Sequence, residues 1–131
     1  ILDIRPSCAA PCPMDTFRYR ALRTGQLTPQ AAAKLLPDRA TLACVWRYLA
    51  AVPGGSLQES PLCLCRKIVR RSGTELSLEQ LLTCLDIFRD VGLLEEKRIH
   101  LTVAIRLRTV SGKADLTKSE TMQTLLRAKE S

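Results

Sequence analysis

The chain has 131 residues, of which 46% are hydrophobic and 25% are charged, which is enough apolar material for one folded domain and excludes general disorder. Its 20 Lys and Arg residues outnumber the 13 Asp and Glu residues, and the formal net charge is +7. The longest uncharged run, residues 48–58, is too short for a transmembrane span of about 20 apolar residues. Because the sequence begins at Ile1 and not at Met, we expect it to be a piece of a longer protein.

The first part of the chain predicts short elements that lead into a domain. Residues 1–14 combine the alternating Ile1–Pro6 stretch, typical of the last strand of a preceding unit, with a proline-rich linker. Residues 15–36 predict a short helical segment, in which Asp15 caps one helix and Thr28 caps another. We therefore expect the main domain to span residues 37–131.

Three helices are predicted at the start of that domain, at about 38–52, 61–72 and 77–91, because apolar residues recur there at helical spacing. Asp38 is a candidate N-cap of the first helix, and Gly73 ends the second. Ser77 and Gln80 have the spacing of a capping box at the start of the third.

The clearest strand runs from Ile99 to Arg108, where apolar residues alternate with polar ones. Residues 93–95 are predicted to be its hairpin partner, with a turn at 96–98, and a last helix is predicted at about 117–129. The predicted fold class is mostly α with a small β-hairpin (α+β). Three helices followed by a hairpin predict a winged helix-turn-helix-like domain preceded by short helices.

Positive charge is concentrated on the 61–72 helix, on the hairpin and near Arg18, Arg20 and Arg23. The 14 Arg against 6 Lys favour phosphate as a ligand, because a guanidinium binds phosphate bidentately. For any one cluster taken alone, solvated surface charge is the favoured explanation. The nucleic-acid hypothesis is a backbone contact, independent of base sequence, by these residues: Arg66, Lys67, Arg70, Arg71, Lys97, Arg98, Arg106 and Arg108.

The helix before the hairpin carries acidic residues instead. In a DNA-reading winged helix this helix enters the major groove. Its residues at helical spacing are predicted to share one exposed face that repels a duplex and is a candidate protein-docking surface: Glu79, Thr83, Asp86 and Asp90.

No pattern of catalytic or metal-binding residues stands out. His100 is the single histidine, and none of the six cysteines has the spacing of a zinc knuckle. We expect reduced cysteines, no metal and no cofactor in this chain, and no enzymatic activity of the chain by itself.

Three segments resemble a known family: Arg47–Leu49 within VWRYL, Leu85–Leu94, and Lys113–Leu116 followed by Ser119. In this order they resemble the C-terminal domain of RecJ-type single-stranded-DNA-specific exonucleases of Gram-positive bacteria. The resemblance covers about residues 35–125.

The resemblance implies that the parent is a 5′→3′ exonuclease of DNA repair and recombination, whose catalytic core binds Mn or Mg through Asp/His motifs. None of those motifs occurs here, so the resemblance assigns no catalytic or metal-binding residue to this chain. It implies a cytoplasmic accessory domain that binds single-stranded DNA, docks a replication or repair protein, or does both, with no membrane partner. A winged-helix protein-interaction module and a transcription regulator remain the alternatives.

Overall fold

The computed structural model describes residues 28–99, 101–108 and 115–130. The strand predicted at residues 1–6, the linker and the helix predicted at residues 15–24 lie outside these ranges. Five helices and three strands occur in the described part, in this order: α1 Pro29–Leu35, α2 Arg39–Ala50, β1 Ser56–Glu59, α3 Pro61–Ser72, α4 Leu78–Asp90, β2 Leu94–Ile99, β3 Thr102–Leu107 and α5 Glu120–Glu130. The prediction of a mostly helical α+β chain is confirmed.

Local capping signals determine where the helices begin. Asp38 caps α2 by accepting a hydrogen bond from the Thr41 N–H at 2.7 Å. Ser77 and Gln80 form the predicted capping box at the start of α4. Gly73 ends α3 in the left-handed conformation, at φ 71°, which a residue with a Cβ adopts only with strain.

The three strands form one antiparallel sheet in the order β1-β3-β2. The sequence predicted the alternation of β3, whose Val103 and Ile105 are buried. The turn predicted at residues 96–98 is wrong, because β2 continues through Ile99 and pairs Lys97 with Ala104. β1, which the sequence analysis missed, pairs with the other side of β3.

The helix α4 lies at the centre of the described structure. All residues from 81 to 88 are buried, and α1, α2, α3, α5 and β2 contact the helix. Its Phe88 ring meets the Trp46 ring of α2 edge-on, with centroids 5.3 Å apart. The main hydrophobic core therefore surrounds α4 and does not lie along one side of it.

The helices α1 and α5 pack on each other beside this core. Ala32 and Leu35 of α1 and Leu125 of α5 form a second, smaller buried cluster. The helix α1 thus contacts α5, the last helix of the predicted main domain. The predicted boundaries placed α1 in a separate short segment. No helix in the described ranges is both long enough and apolar enough to cross a membrane.

Candidate nucleic-acid interface

The helix α3 separates its apolar and basic residues onto two faces. Leu64, Cys65 and Ile68 enter the core at 0 to 6% exposure. The four basic residues of the helix are all exposed: Arg66, Lys67, Arg70 and Arg71. Because residues four apart share a helix face, the pairs 66/70 and 67/71 form one continuous strip. We call these four residues the basic strip.

The members of the basic strip differ in their partners. The Lys67 ammonium donates to the Glu59 carboxylate of β1 at 2.6 Å. This hydrogen bond, with the Glu59 charge, raises the pKa of Lys67. Arg66, Arg70 and Arg71 form no ion pair with any residue in the described ranges. Three guanidinium groups therefore remain available to an anionic ligand.

Arg47, on the neighbouring helix α2, adds a fourth exposed guanidinium to this side of the molecule. It lines, together with Arg71, a cleft of about 330 Å³ between the ends of α2 and α3. Within the described chain it likewise forms no ion pair. Arg47 is not among the predicted site residues, because its position beside Arg71 depends on helix packing that residue spacing alone does not show.

The basic residues of the hairpin lie in a different electrostatic setting. Arg98 is not at a hairpin tip: its side chain is 18% exposed and it binds both Asp86 and Glu96. Arg108 lies 3.6 Å from the Glu95 carboxylate. Lys97 and Arg106 are exposed, and Arg106 pairs across the strands with Glu95. The structure thus separates the eight predicted residues into two groups, and in the hairpin group Arg98 and Arg108 contact carboxylates.

The expectation that Glu79, Thr83, Asp86 and Asp90 present one exposed acidic face is wrong. Thr83 is 0% and Asp86 3% exposed, and Glu79 is half-buried. The Thr83 hydroxyl donates to the Glu79 carbonyl oxygen at 2.8 Å. Neighbouring elements cover this side of α4 as they cover the others, so residue spacing alone did not predict its exposure.

Asp86 belongs to a network of two carboxylates and two guanidinium groups. It accepts a hydrogen bond from Arg98 at 2.8 Å and lies 3.3 Å from Arg89. Glu96, whose side chain is 0% exposed, also contacts both arginines. Two negative and two positive charges thus balance one another next to α4, and we call these four residues the charge network.

Asp90, although exposed, is engaged by the last helix. Its carboxylate accepts from the Ser119 hydroxyl at 2.8 Å and from the Thr121 N–H at 3.0 Å. The Ser119 hydroxyl in turn accepts from the Met122 N–H. Asp90 and Ser119 lie in two of the segments that carry the family resemblance, and their observed role is to join the start of α5 to the end of α4.

Residues that bind metals do not converge in the described ranges, where no group of three or more His, Cys, Asp or Glu side chains has the required arrangement. Cys44, Cys65 and Cys84 are buried and Cys63 is exposed, and all four are free thiols. Burial raises the pKa of the Cys65 and Cys84 thiols. His100, Cys8 and Cys12 lie outside the described residues. Comparison of the chain with models of protein families, with curated proteins and with solved structures finds no match.

Proposed function

We propose that the chain is a non-catalytic module that binds single-stranded DNA through its backbone. The observation that carries the proposal is the set of exposed guanidinium groups on α3 and the adjoining end of α2 that form no ion pair with the described residues. Arg66, Arg70 and Arg71 of α3 and Arg47 of α2 compose this set, and we call them the arginine surface. Guanidinium groups bind phosphate oxygens bidentately, and contacts to phosphate carry no preference for a base sequence.

We propose further that the fold is a winged helix-turn-helix. The order of elements from α2 to β3 supports this: helix, strand, two helices, two strands. The sheet order β1-β3-β2 is also the order that this fold requires, because the first strand pairs with the last. In this assignment α4 is the helix that enters the major groove in DNA-reading members.

The enclosure of α4 argues for backbone binding over base reading. A helix can reach base edges only with exposed side chains, and residues 81–88 are all buried. The arginine surface belongs to α2 and α3 and remains accessible. For the same reason we favour a DNA-holding module over a transcription regulator.

We retain the RecJ-type exonuclease tail as the proposed parent context. The hydrogen bond from Ser119 to Asp90 supports this parent context, because it joins two of the segments that carry the family resemblance. In this context the module is cytoplasmic, acts in DNA repair and recombination, and needs no metal itself, while the catalytic core of the parent binds Mn or Mg. Docking of a replication or repair protein remains an alternative role, but it requires a surface other than the predicted acidic face.

The salt dependence of single-stranded DNA binding tests the proposal. Replacing Arg47, Arg66, Arg70 and Arg71 with Ala should reduce the slope of log K against log salt by roughly two to three units, since each phosphate contact contributes about 0.7. Fluorescence anisotropy with labelled oligo(dT) over a series of salt concentrations measures the slope.

The matched control removes four positive charges from elsewhere on the chain. Lys34, Arg39, Lys118 and Lys129 are exposed on α1, the start of α2, the turn before α5 and α5. Their replacement with Ala changes the net charge equally and should lower the slope by less than one unit. Equal slopes for the two variants would mean that net charge, and not the arginine surface, binds the DNA.

A further inference from the structure

The cleft between the ends of α2 and α3 has an apolar floor and polar walls. Its volume of about 330 Å³ is at the lower end of the range of small-molecule sites. Cys44 and Ile68, at 8% and 1% exposure, form the apolar floor. The walls include Arg47 and Tyr48 on one side and Arg71 and Thr74 on the other.

Several polar groups of this cleft have no partner among the described residues. Within the described ranges, the Tyr48 and Thr74 hydroxyls and the Arg47 and Arg71 guanidinium groups form no hydrogen bond or ion pair. The Ser72 hydroxyl differs, because it donates to the Ile68 carbonyl oxygen at 2.7 Å. The half-buried Tyr48 and Thr74 hydroxyls and the two guanidinium groups therefore remain available to a ligand.

We propose that this cleft binds one nucleotide of single-stranded DNA, with the base against the Tyr48 ring and its phosphate on Arg47 and Arg71. The inference rests on the proposed function and deepens it by naming a subsite. The Tyr48 ring lies beside the apolar floor of the cleft, which suits the face of any nucleobase. Stacking of this kind tolerates all sequences.

The phosphate must bind through the two guanidinium groups. The helices α2 and α3 both end beside the cleft, with Arg47 and Arg71 in their last turns. Helix C-termini carry partial negative charge, so the backbone there repels an anion. Removing the two arginines should therefore leave the cleft without affinity for phosphate.

The cleft adjoins the basic strip. Arg71 belongs to the basic strip and also lines the cleft. A DNA strand bound along Arg66 and Arg70 thus reaches the cleft by following the basic strip of α3 to Arg71. This continuity favours a nucleotide within a strand over a free mononucleotide as the occupant.

The test measures the affinity of the full chain for oligo(dT) and for an abasic oligonucleotide with the same number of phosphates. Tyr48→Leu should weaken binding to oligo(dT) roughly 5- to 150-fold, the range for loss of one stacked base, and leave the abasic affinity unchanged. Tyr48→Phe, which keeps the ring, should bind both as the unmodified chain does. Arg47→Ala with Arg71→Ala should weaken binding to both.

A crosslinking experiment covers the case in which Tyr48→Leu does not fold. Ultraviolet irradiation of the unmodified chain with bromodeoxyuridine-substituted oligonucleotide should attach the base at Tyr48, as read by mass spectrometry. Crosslinks only at other residues, or equal losses of affinity for both oligonucleotides with Tyr48→Leu, would overturn the subsite while DNA binding itself stands. Absence of any salt-dependent binding by the unmodified chain would overturn both proposals.

Discussion

The helices α3 and α4 follow one another in the chain, but their charged residues differ in exposure and in ion pairing. On α3 the basic residues are exposed, and Arg66, Arg70 and Arg71 form no ion pair within the described chain. On α4 Asp86 is 3% exposed and bound by two arginines. One helix presents charge to solvent, whereas the other uses charge inside the fold.

The difference follows from how many sides of each helix are covered. The apolar residues of α3 occupy one side, and the remainder faces water. The apolar residues of α4 occur around most of its circumference, with Leu81, Leu82, Leu85 and Ile87 all at 0% exposure. A helix that is apolar on most sides is buried, and a carboxylate on it must find a partner. Charged residues therefore lie on the solvent side of α3, whereas the Asp86 carboxylate of α4 lies inside the fold and is bound by arginines.

The largest expected effect concerns the charge network. Arg98→Met removes the guanidinium that binds both Asp86 and Glu96. Because two largely buried carboxylates then share one arginine, the free energy of unfolding should fall by about 3–5 kcal/mol. Urea denaturation followed by circular dichroism measures the change.

A paired substitution separates the loss of charge balance from the loss of packing. Glu96→Leu combined with Arg98→Met removes one negative and one positive charge together and should recover most of that stability. A double variant as unstable as the single one would contradict charge balance as the cause of the loss.

The junction between α4 and α5 should have an intermediate effect. Asp90→Ala removes two hydrogen bonds, from the Ser119 hydroxyl and the Thr121 N–H, and should cost about 1–3 kcal/mol of unfolding free energy. Ser119→Ala acts on the same contacts, so the double variant should cost less than the sum of the two. Thermal denaturation of the three variants gives the coupling, and strict additivity would contradict a shared network.

The arginines of α3 should matter far less for stability. Replacing Arg66 or Arg70 with Ala should change the free energy of unfolding by less than about 0.5 kcal/mol, the usual range for exposed positions. The same substitutions should lower DNA affinity in the anisotropy assay. A loss of stability comparable to that of Arg98→Met would contradict the contrast between the two helices.

A further expected effect is a dependence of stability on pH at the start of α2. Hydrogen bonds from the Thr41 N–H and hydroxyl lower the pKa of Asp38 below its ordinary value of 3.8. A lowered pKa in the folded state contributes stability above pH 3.8 that disappears as the pH falls through the lowered value. Asp38→Ala should therefore be less stable than the unmodified chain at neutral pH, and the difference should vanish in acid.

A control for this prediction keeps the cap but removes the titration. Asn is also a good N-cap residue, so Asp38→Asn should retain most of the stability at neutral pH. Thermal unfolding from neutral pH to about pH 2 compares the three chains. A gap between Asp38→Ala and the unmodified chain that persists unchanged in acid would contradict the role of the carboxylate.

Helix periodicity and capping residues predicted most of the described helices. The ranges of α3 and α4 and the caps Thr28, Asp38 and Ser77 agree with the structure. The hairpin was harder to predict, because the inward positions of β2 after Leu94 are Glu96 and Arg98, which conceal the alternation of a strand. The four-residue β1 gives too short a pattern to detect before its partner strand is known.

The candidate site was only partly predictable, because part of it depends on contacts between elements that are distant in the sequence. The exposure of Arg66, Arg70 and Arg71 follows from the apolar face of their own helix. The burial of Asp86 and the proximity of Arg47 to Arg71 depend on which elements pack together, which the spacing within one helix does not contain.

The inward charges of β2 have a further consequence, for aggregation. In the described sheet β2 lies at one edge, with hydrogen-bonding groups that a second chain could use. Glu96 and Arg98 of this strand point inward, and Arg98 binds Asp86 of α4. Inward-pointing charges are one of the ways in which edge strands resist such self-association. The charges that bind Asp86 of α4 are therefore expected also to disfavour pairing of this edge with another molecule.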